Sequence, residues 1–135
     1  MPAHRHDIKV RFYELDPYGH LNHSAFVQFF EVGRIELLDD AGLGLDVFTE
    51  QGYQFVVTNI ETSFLQSVVA GDVVTVETEV LEIRRASSRW RQRLVRDGEL
   101  VAQQVLRAAI TDTTGKPVRA PDNLADHLGP YMVEE

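Results

Sequence analysis

The sequence predicts an α+β fold, one long helix laid against one antiparallel sheet, and three observations point to it. An apolar stretch with helical spacing runs from Ser24 to Ala41. After Gln54 the chain turns to long segments in which apolar and polar residues alternate. Asp97-Gly98, a dipeptide favoured in tight hairpins, joins two of those segments. One helix against one antiparallel sheet is the α+β arrangement.

The 135 residues, 44% of them hydrophobic, are enough for one domain with its own core, so residues 1–135 are read as a single unit. No early apolar run is long enough for a signal peptide and no later one for a membrane span, so a cytoplasmic location and no membrane partner are expected. Cysteine is absent, which excludes disulfides, thiolate catalysis and cysteine-based metal sites. The net charge of -8 argues against nucleic acid as a partner. An anionic ligand would need a local basic cluster, and Arg84, Arg85, Arg89, Arg91 and Arg93 form one.

In chain order, Lys9 to Leu15 alternates Val10, Phe12 and Glu14 with Arg11 and Tyr13 and reads as a strand. Pro17 holds Asp16 in an extended conformation, and Gly19 permits a tight turn. Asn22 or Ser24 is placed to cap the helix. Its face is Phe26, Phe29, Phe30, Gly33, Leu37 and Ala41. Val27, Val32, Ile35 and Leu38 make it apolar nearly all round, so it is expected to be wrapped on most sides, with Gly42 and Gly44 as stops. Gln54 to Leu65 and Val73 to Ile83 are strands with Gly71-Asp72 turning between them. Arg89 to Arg96 and Leu100 to Asp112 make the hairpin, Trp90, Gln92 and Leu94 sharing one face. The last four strands are expected as a meander. Such a sheet leaves an edge strand open, and a homodimer that pairs two edges would hide it.

Asp16 stands at the mouth of the helix. As chemistry it is a carboxylate beside free first-turn amides; as structure it is an ordinary turn aspartate before a proline. His20 and His23 are three apart but straddle a turn with no third ligand at a convincing spacing, so no metal is expected. His4 and His6 read as exposed and incidental. Glu31 lies three residues before Arg34, the spacing of a surface ion pair. Arg84, Arg85, Ser87, Ser88, Arg89 and Arg119 offer guanidinium forks and hydroxyls suited to phosphates, although an alternating charge run is also how a wet strand face looks. Tyr13, Phe26, Phe29, Phe30, Tyr53, Phe55 and Phe64 are divided between the core and any acyl or aroyl pocket.

Asp16-Pro17-Tyr18-Gly19-His20-Leu21-Asn22-His23, the helix carrying Glu31-Val32-Gly33-Arg34, and Thr114-Gly115-Lys116-Pro117-Val118-Arg119-Ala120-Pro121 together resemble the hotdog-fold acyl-CoA thioesterases, in the 4-hydroxybenzoyl-CoA thioesterase-like branch. The resemblance implies a five-stranded antiparallel sheet wrapped around one long central helix, in dimers or tetramers with active sites at subunit interfaces. It implies hydrolysis of an acyl-CoA, or of an acyl-carrier-protein thioester, with no cofactor beyond the coenzyme A of the substrate. Asp16 would be nucleophile or general base, and the amide near His23 would polarise the thioester carbonyl. Gly19, His20 and Asn22 belong to the same motif. Because some members place their carboxylate on the helix, Glu31 is a second catalytic candidate. The arginine and serine cluster with Arg119 would meet the nucleotide. An acyl-binding protein without turnover would keep the same pocket.

The chemistry suits those parts: hydrolysis of a thioester needs a group that activates water and donors aimed at the developing oxyanion. Asp16 and the helix start would supply one each.

Overall fold

The computed structural model describes residues 3–134. β1 (His4–Lys9) leads through one 3-10 turn at Phe12–Glu14 to α1 (His23–Asp40) and α2 (Leu45–Glu50). β2 (Gln54–Phe64), β3 (Val73–Ile83), β4 (Ser87–Arg96) and β5 (Glu99–Thr111) follow, then α3 (Leu124–Leu128) and a final 3-10 turn at Gly129–Tyr131. The five strands form one sheet in the order β1-β3-β4-β5-β2, and every pairing is antiparallel.

The order corrects the expected meander. β3, β4 and β5 follow one another, but β2 pairs with β5 at the far edge and β3 lies beside β1. The connection 65–72 is longer than the two to five residues of a hairpin loop. It runs past the start of α1, where Leu21 N–H donates to Val68 O (2.7 Å) and Val68 is fully buried. Gly71 makes a turn, at φ +89°, but it returns the chain to Val10 rather than to β2.

The first strand is also shorter than its alternation suggests. It stops at Lys9, and Arg11 and Glu14 close the 3-10 turn through Arg11 N–H and Nη2 to the Glu14 carboxylate at 2.8 and 3.0 Å. Phe12 and Tyr13 are left on the surface, 80% and 67% exposed. His4 is buried, with Nε2 at 2.6 Å from the Asp40 carboxylate, so it is no incidental surface residue.

α1 begins where Asn22 caps it: Asn22 Oδ1 accepts from Ser24 N–H (3.0 Å) and from Ser24 Oγ (2.7 Å). Ala25, Phe26, Phe29, Phe30, Gly33, Leu37 and Leu38 are its buried side, packed on β1, β3 and β4. Gly33 is needed there, because a Cβ would come within 2.4 Å of Val76 Cγ1. Glu31 and Val32 are exposed, so one chain covers one side of the helix and not its circumference. Asp97 (φ +50°) and Gly98 (φ +80°) make the β4–β5 hairpin turn that the dipeptide predicts.

Beneath α1 the core is in two parts. One gathers around Phe26, Phe29, Phe30, Val76 and Leu94, the other around Leu37, Val80, Trp90, Leu106 and Ile110. Between them a polar row crosses the sheet, Thr78 opposite Gln92, Gln92 opposite Gln104 and Gln104 opposite Thr62. Gln92 Nε2 donates to Phe30 O (2.7 Å) and to Thr78 Oγ1 (3.0 Å), and Thr62 Oγ1 donates to Gln104 Oε1 (2.9 Å).

Candidate active site

Two turns of backbone hold Asp16. Leu15 and Leu21 form an isolated antiparallel bridge, Asp16 N–H donates to His20 O (2.7 Å), and Gly19 at φ +81° closes the loop. The carboxylate is half-buried, and Oδ1 accepts from Tyr18 N–H (2.9 Å) and His20 N–H (3.1 Å). The structural reading of this residue is therefore real, but it uses one oxygen. Oδ2 makes no hydrogen bond among the described residues.

Asp16 lines a pocket of about 320 Å³ together with His20, His23, Phe26, Phe64 and Gln66. Phe26 and Phe64 meet edge to face at 5.3 Å between ring centres, and the His23 ring stands edge-on to Phe64 at 6.5 Å. This makes a wall on which an acyl group can lie. His23 is the first residue of α1, and the cap leaves its backbone N–H without a partner among the described residues. A free amide at a helix N-terminus favours negative charge. Asp16, Gly19, His20, Asn22 and His23 are thus brought together, with Asn22 working through its cap. Glu31 is not with them: it lies two turns along α1, on a second pocket of about 220 Å³.

The expected Glu31–Arg34 ion pair does not form. Arg34 turns inward and Nη1 donates to Gln92 Oε1 at 2.8 Å, while Glu31 stays exposed. Burial pulls the Arg34 guanidinium below its ordinary pKa, and the charge of Glu31 acts against that shift.

The proposed phosphate cluster divides. Ser88 leaves it, since it is buried, accepts from Trp90 Nε1 (2.8 Å) and faces Ala108 O. Arg84 and Arg89 share the Glu82 carboxylate, whose pKa falls below the usual range because of the hydrogen bond from Arg84 first. Arg91 and Arg93 are both tied to Glu79 (3.0 and 2.8 Å) on the outer sheet face. Arg85 is exposed, and its carbonyl accepts from Ala120 N–H (2.7 Å), which brings it beside Arg119. Ser87 is half-buried at the start of β4. Arg89, Arg91 and Arg93 step along β4 opposite Arg107, Val105 and Gln103, while Arg84, Arg85 and Ser87 gather at Ala109 and Phe64 of the Asp16 pocket pairs with Ala102. Seven residues of strand separate the two, roughly 24 Å.

Sequence reasoning missed the wall formed by Leu65, Gln66 and Ser67, and the residue that holds it. Arg96 Nη1 donates to Ser67 O (2.9 Å) and to Asp72 Oδ2 (3.1 Å), and Nη2 to Gln66 Oε1 (3.2 Å). A loop with no periodicity gives no signal of this kind. Among the described residues no three histidine or carboxylate groups converge as metal ligands.

The profile of the thioesterase-like superfamily matches residues 10–128. The chain belongs to this superfamily and is a thioester hydrolase. It is 28% identical over 116 residues to the acyl-CoA thioesterase YbgC of Haemophilus influenzae, covering 84% of this chain and 85% of that one. It is 23% identical over 133 residues to the chloroplastic acyl-acyl carrier protein thioesterase ATL2 of Arabidopsis thaliana, covering 97% and 71% respectively. Among solved structures, a thioesterase of Thermus thermophilus complexed with coenzyme A and zinc superposes with a TM-score of 0.80 at 27% identity, covering 94% of this chain and 92% of that one.

Proposed function

We propose that the chain is an acyl-CoA thioesterase working as a homo-oligomer, with Asp16 as general base or nucleophile and the His23 amide as oxyanion donor. The observation that carries this is the meeting, in one pocket walled on one side by Phe26 and Phe64, of an uncommitted carboxylate oxygen and an uncommitted helix-start N–H. In the general-base route water attacks the thioester carbon and gives its proton to Asp16 Oδ2. The N–H holds the oxyanion, and collapse expels the coenzyme A thiolate, which takes the proton back. In the nucleophilic route Oδ2 itself attacks the thioester carbon, the C–S bond breaks to release the coenzyme A thiolate, and water then opens the mixed anhydride to the free acid and the Asp16 carboxylate, its other proton going to the thiolate.

Coenzyme A binding involves a second copy in this reading. Arg84, Arg85 and Arg119, whose guanidinium groups suit its phosphates, lie at the far end of the same chain's sheet from Asp16. β2 is an edge strand whose Val56, Val57, Ile60 and Phe64 are each 40% exposed or more. Two β2 edges paired antiparallel about a two-fold axis would set the Gln54 end of one copy beside the Phe64 end of the other. Arg85, Ser87 and Arg119 of a second copy would then approach the Asp16 pocket, with Arg84 and Arg89 bound in part by Glu82.

The test is thiol release from CoA thioesters of short, long and aromatic acids by wild type and Asp16→Asn, in a disulfide-reagent assay that a protein without cysteine leaves clean. Asn keeps an oxygen for the Tyr18 and His20 amides, so the turn survives, and turnover should fall at least about a hundredfold. Unchanged turnover would remove Asp16 from the chemistry. In single turnover, solvent oxygen entering Asp16 marks direct attack. Because ATL2 acts on carrier-protein thioesters by name, an acyl-carrier-protein substrate is the second reading, and the same assay with that thioester decides it.

A further inference from the structure

The three most exposed large hydrophobic side chains among the described residues are Tyr18, Phe12 and Tyr13, and all stand on the stretch that leads into and around Asp16. Phe12 and Tyr13 meet edge to face at 5.5 Å between ring centres, and Arg11 Cζ lies 5.8 Å from the Tyr13 ring centre. Tyr18 is 85% exposed; its backbone N–H holds Asp16 Oδ1, and its ring takes no part in that turn. Leu65, Val69 and Val73, each about half exposed, stand on the segment pinned beside this stretch. Leu21 N–H donates to Val68 O, Val10 N–H to Asp72 O (2.9 Å) and Gly71 N–H to Val10 O (3.0 Å). The six side chains therefore share the end of the molecule at which the Asp16 pocket opens, and Leu65 lines that pocket as well.

Single apolar side chains on a surface are ordinary, but a cluster of them marks a place of contact. Two of the six are tyrosines, whose rings are apolar and whose hydroxyls stay wet, and neither hydroxyl is hydrogen-bonded among the described residues. Such side chains suit the boundary between lipid tails and headgroups. The charges around them choose the kind of lipid. Lys9, Arg11 and Arg96 are matched by Glu14, Asp16 and Asp72, and Asp97 and Glu99 on the adjoining hairpin add two negative charges to a chain that carries -8. An anionic surface, an acidic protein or a second copy of this end would be repelled, whereas a zwitterionic surface would not. No helix among the described residues is long and apolar enough to cross a membrane, so the contact is peripheral and needs none of the spans whose lack argued against a membrane partner.

We infer that this rim seats the protein on a zwitterionic lipid surface, with the mouth of the Asp16 pocket turned toward the layer. An acyl chain dissolved in that layer would reach the wall of Phe26 and Phe64 without crossing water, and the freed acid would return the same way. The inference rests on the hydrolase reading above and adds where that site meets its substrate.

Flotation of the full chain with phosphatidylcholine vesicles tests it, beside vesicles doped with phosphatidylglycerol. Wild type should float with phosphatidylcholine at millimolar lipid, and phosphatidylglycerol should lower the bound fraction at low salt. Phe12→Ser combined with Tyr18→Ser should lower the partition coefficient at least about tenfold, since it removes two of the rings that would insert. Val47→Ser, on α2, removes an apolar side chain outside the rim and should float as wild type does. In thiol release, Phe12→Ser should match wild type on butyryl-CoA and fall at least about threefold on oleoyl-CoA bound to phosphatidylcholine vesicles.

No flotation with phosphatidylcholine, flotation that grows with phosphatidylglycerol, or flotation untouched by the double variant overturns the inference. So does a double variant that sediments as a smaller particle than wild type in the absence of lipid, because the rim is then covered by another copy. An equal loss by Phe12→Ser on butyryl-CoA and on vesicle-bound oleoyl-CoA marks damage to the pocket and overturns it too. Thiol release by a protein that never floats leaves the hydrolase reading standing and this one refuted. Flotation that the double variant loses, with no thiol release from any thioester, does the reverse.

Discussion

Replacing Arg96 by Met tests whether the wall of the Asp16 pocket is held from outside it. Arg96 reaches from the end of β4 to Ser67 O, Asp72 Oδ2 and Gln66 Oε1, and Gln66 and Ser67 line the pocket. Its side chain is 24% exposed and that of Asp72 26%, so water can take over part of what is lost. A hydrogen bond involving a charge is worth about 1.5–3 kcal/mol when its partner stays buried, and these partners are partly wetted. Methionine keeps the packing of the stem, and Asp72 keeps its bond from Val69 N–H (3.1 Å). The net loss is then about 2 kcal/mol, or roughly 6–8 °C in Tm for a chain of this size. Asp16 and the His23 amide are untouched, so the released 65–72 segment should raise KM several-fold and change kcat less. Arg5→Met is the control, since Arg5 pairs with Glu77 on the surface far from the pocket. A fall in Tm with KM unchanged would show Arg96 to be a fastener of the sheet with no part in the site, and would refute the reasoning.

Other outcomes follow from the same contacts. Gly33→Ala gains about 1 kcal/mol of helix propensity but forces a Cβ to 2.4 Å from the fully buried Val76, so a net loss of about 1–2 kcal/mol should appear in chemical denaturation. Asn22→Ala removes the cap on Ser24 and should cost about 1 kcal/mol, with kcat falling more than KM rises because the His23 amide loses its fixed direction. Ile60→Lys puts a charge in the middle of the exposed β2 edge; sedimentation should find dimer in wild type and monomer in the variant, and a wild-type monomer at micromolar concentration would dismiss the paired-edge arrangement.

What was legible in the sequence is what periodicity and turn chemistry encode. α1 runs from His23 to Asp40 against an expected Ser24 to Ala41, and β2 and β3 end within a residue of their expected limits. The Asp97-Gly98 turn follows from the need for positive φ at both positions. Strand order was not legible, because alternation tells which residues share a face and not which strand lies alongside; β2 lies on β5, with Thr62 meeting Gln104 and Ile60 meeting Leu106. Alternation also misled at Val10 to Glu14, where the period of two was kept by residues that Arg11 and Glu14 fold into a 3-10 turn. At the site, Asp16, His20 and His23 stood in one motif and could be read together. Arg96 stands 29 and 30 residues after Ser67 and Gln66, and the three belong to no pattern.

The polar row under α1 fixes how the helix sits on the sheet. A purely apolar interface between helix and sheet would let α1 slide by a turn at modest cost, since one Phe or Leu can replace another in a hydrophobic hole. Gln92 does not permit that: its amide is spent on Phe30 O and Thr78 Oγ1, and its carbonyl oxygen on Arg34. Any shift would leave a fully buried amide unpaired. The row therefore fixes the axial position of α1, and with it the distance between the His23 amide at one end of the helix and Asp16 in the preceding turn. By the same bonds it fixes the Arg34 guanidinium over the second pocket. Thiol release depends on the first of these consequences, so Gln92→Leu should lower turnover although Gln92 lines no part of the Asp16 pocket.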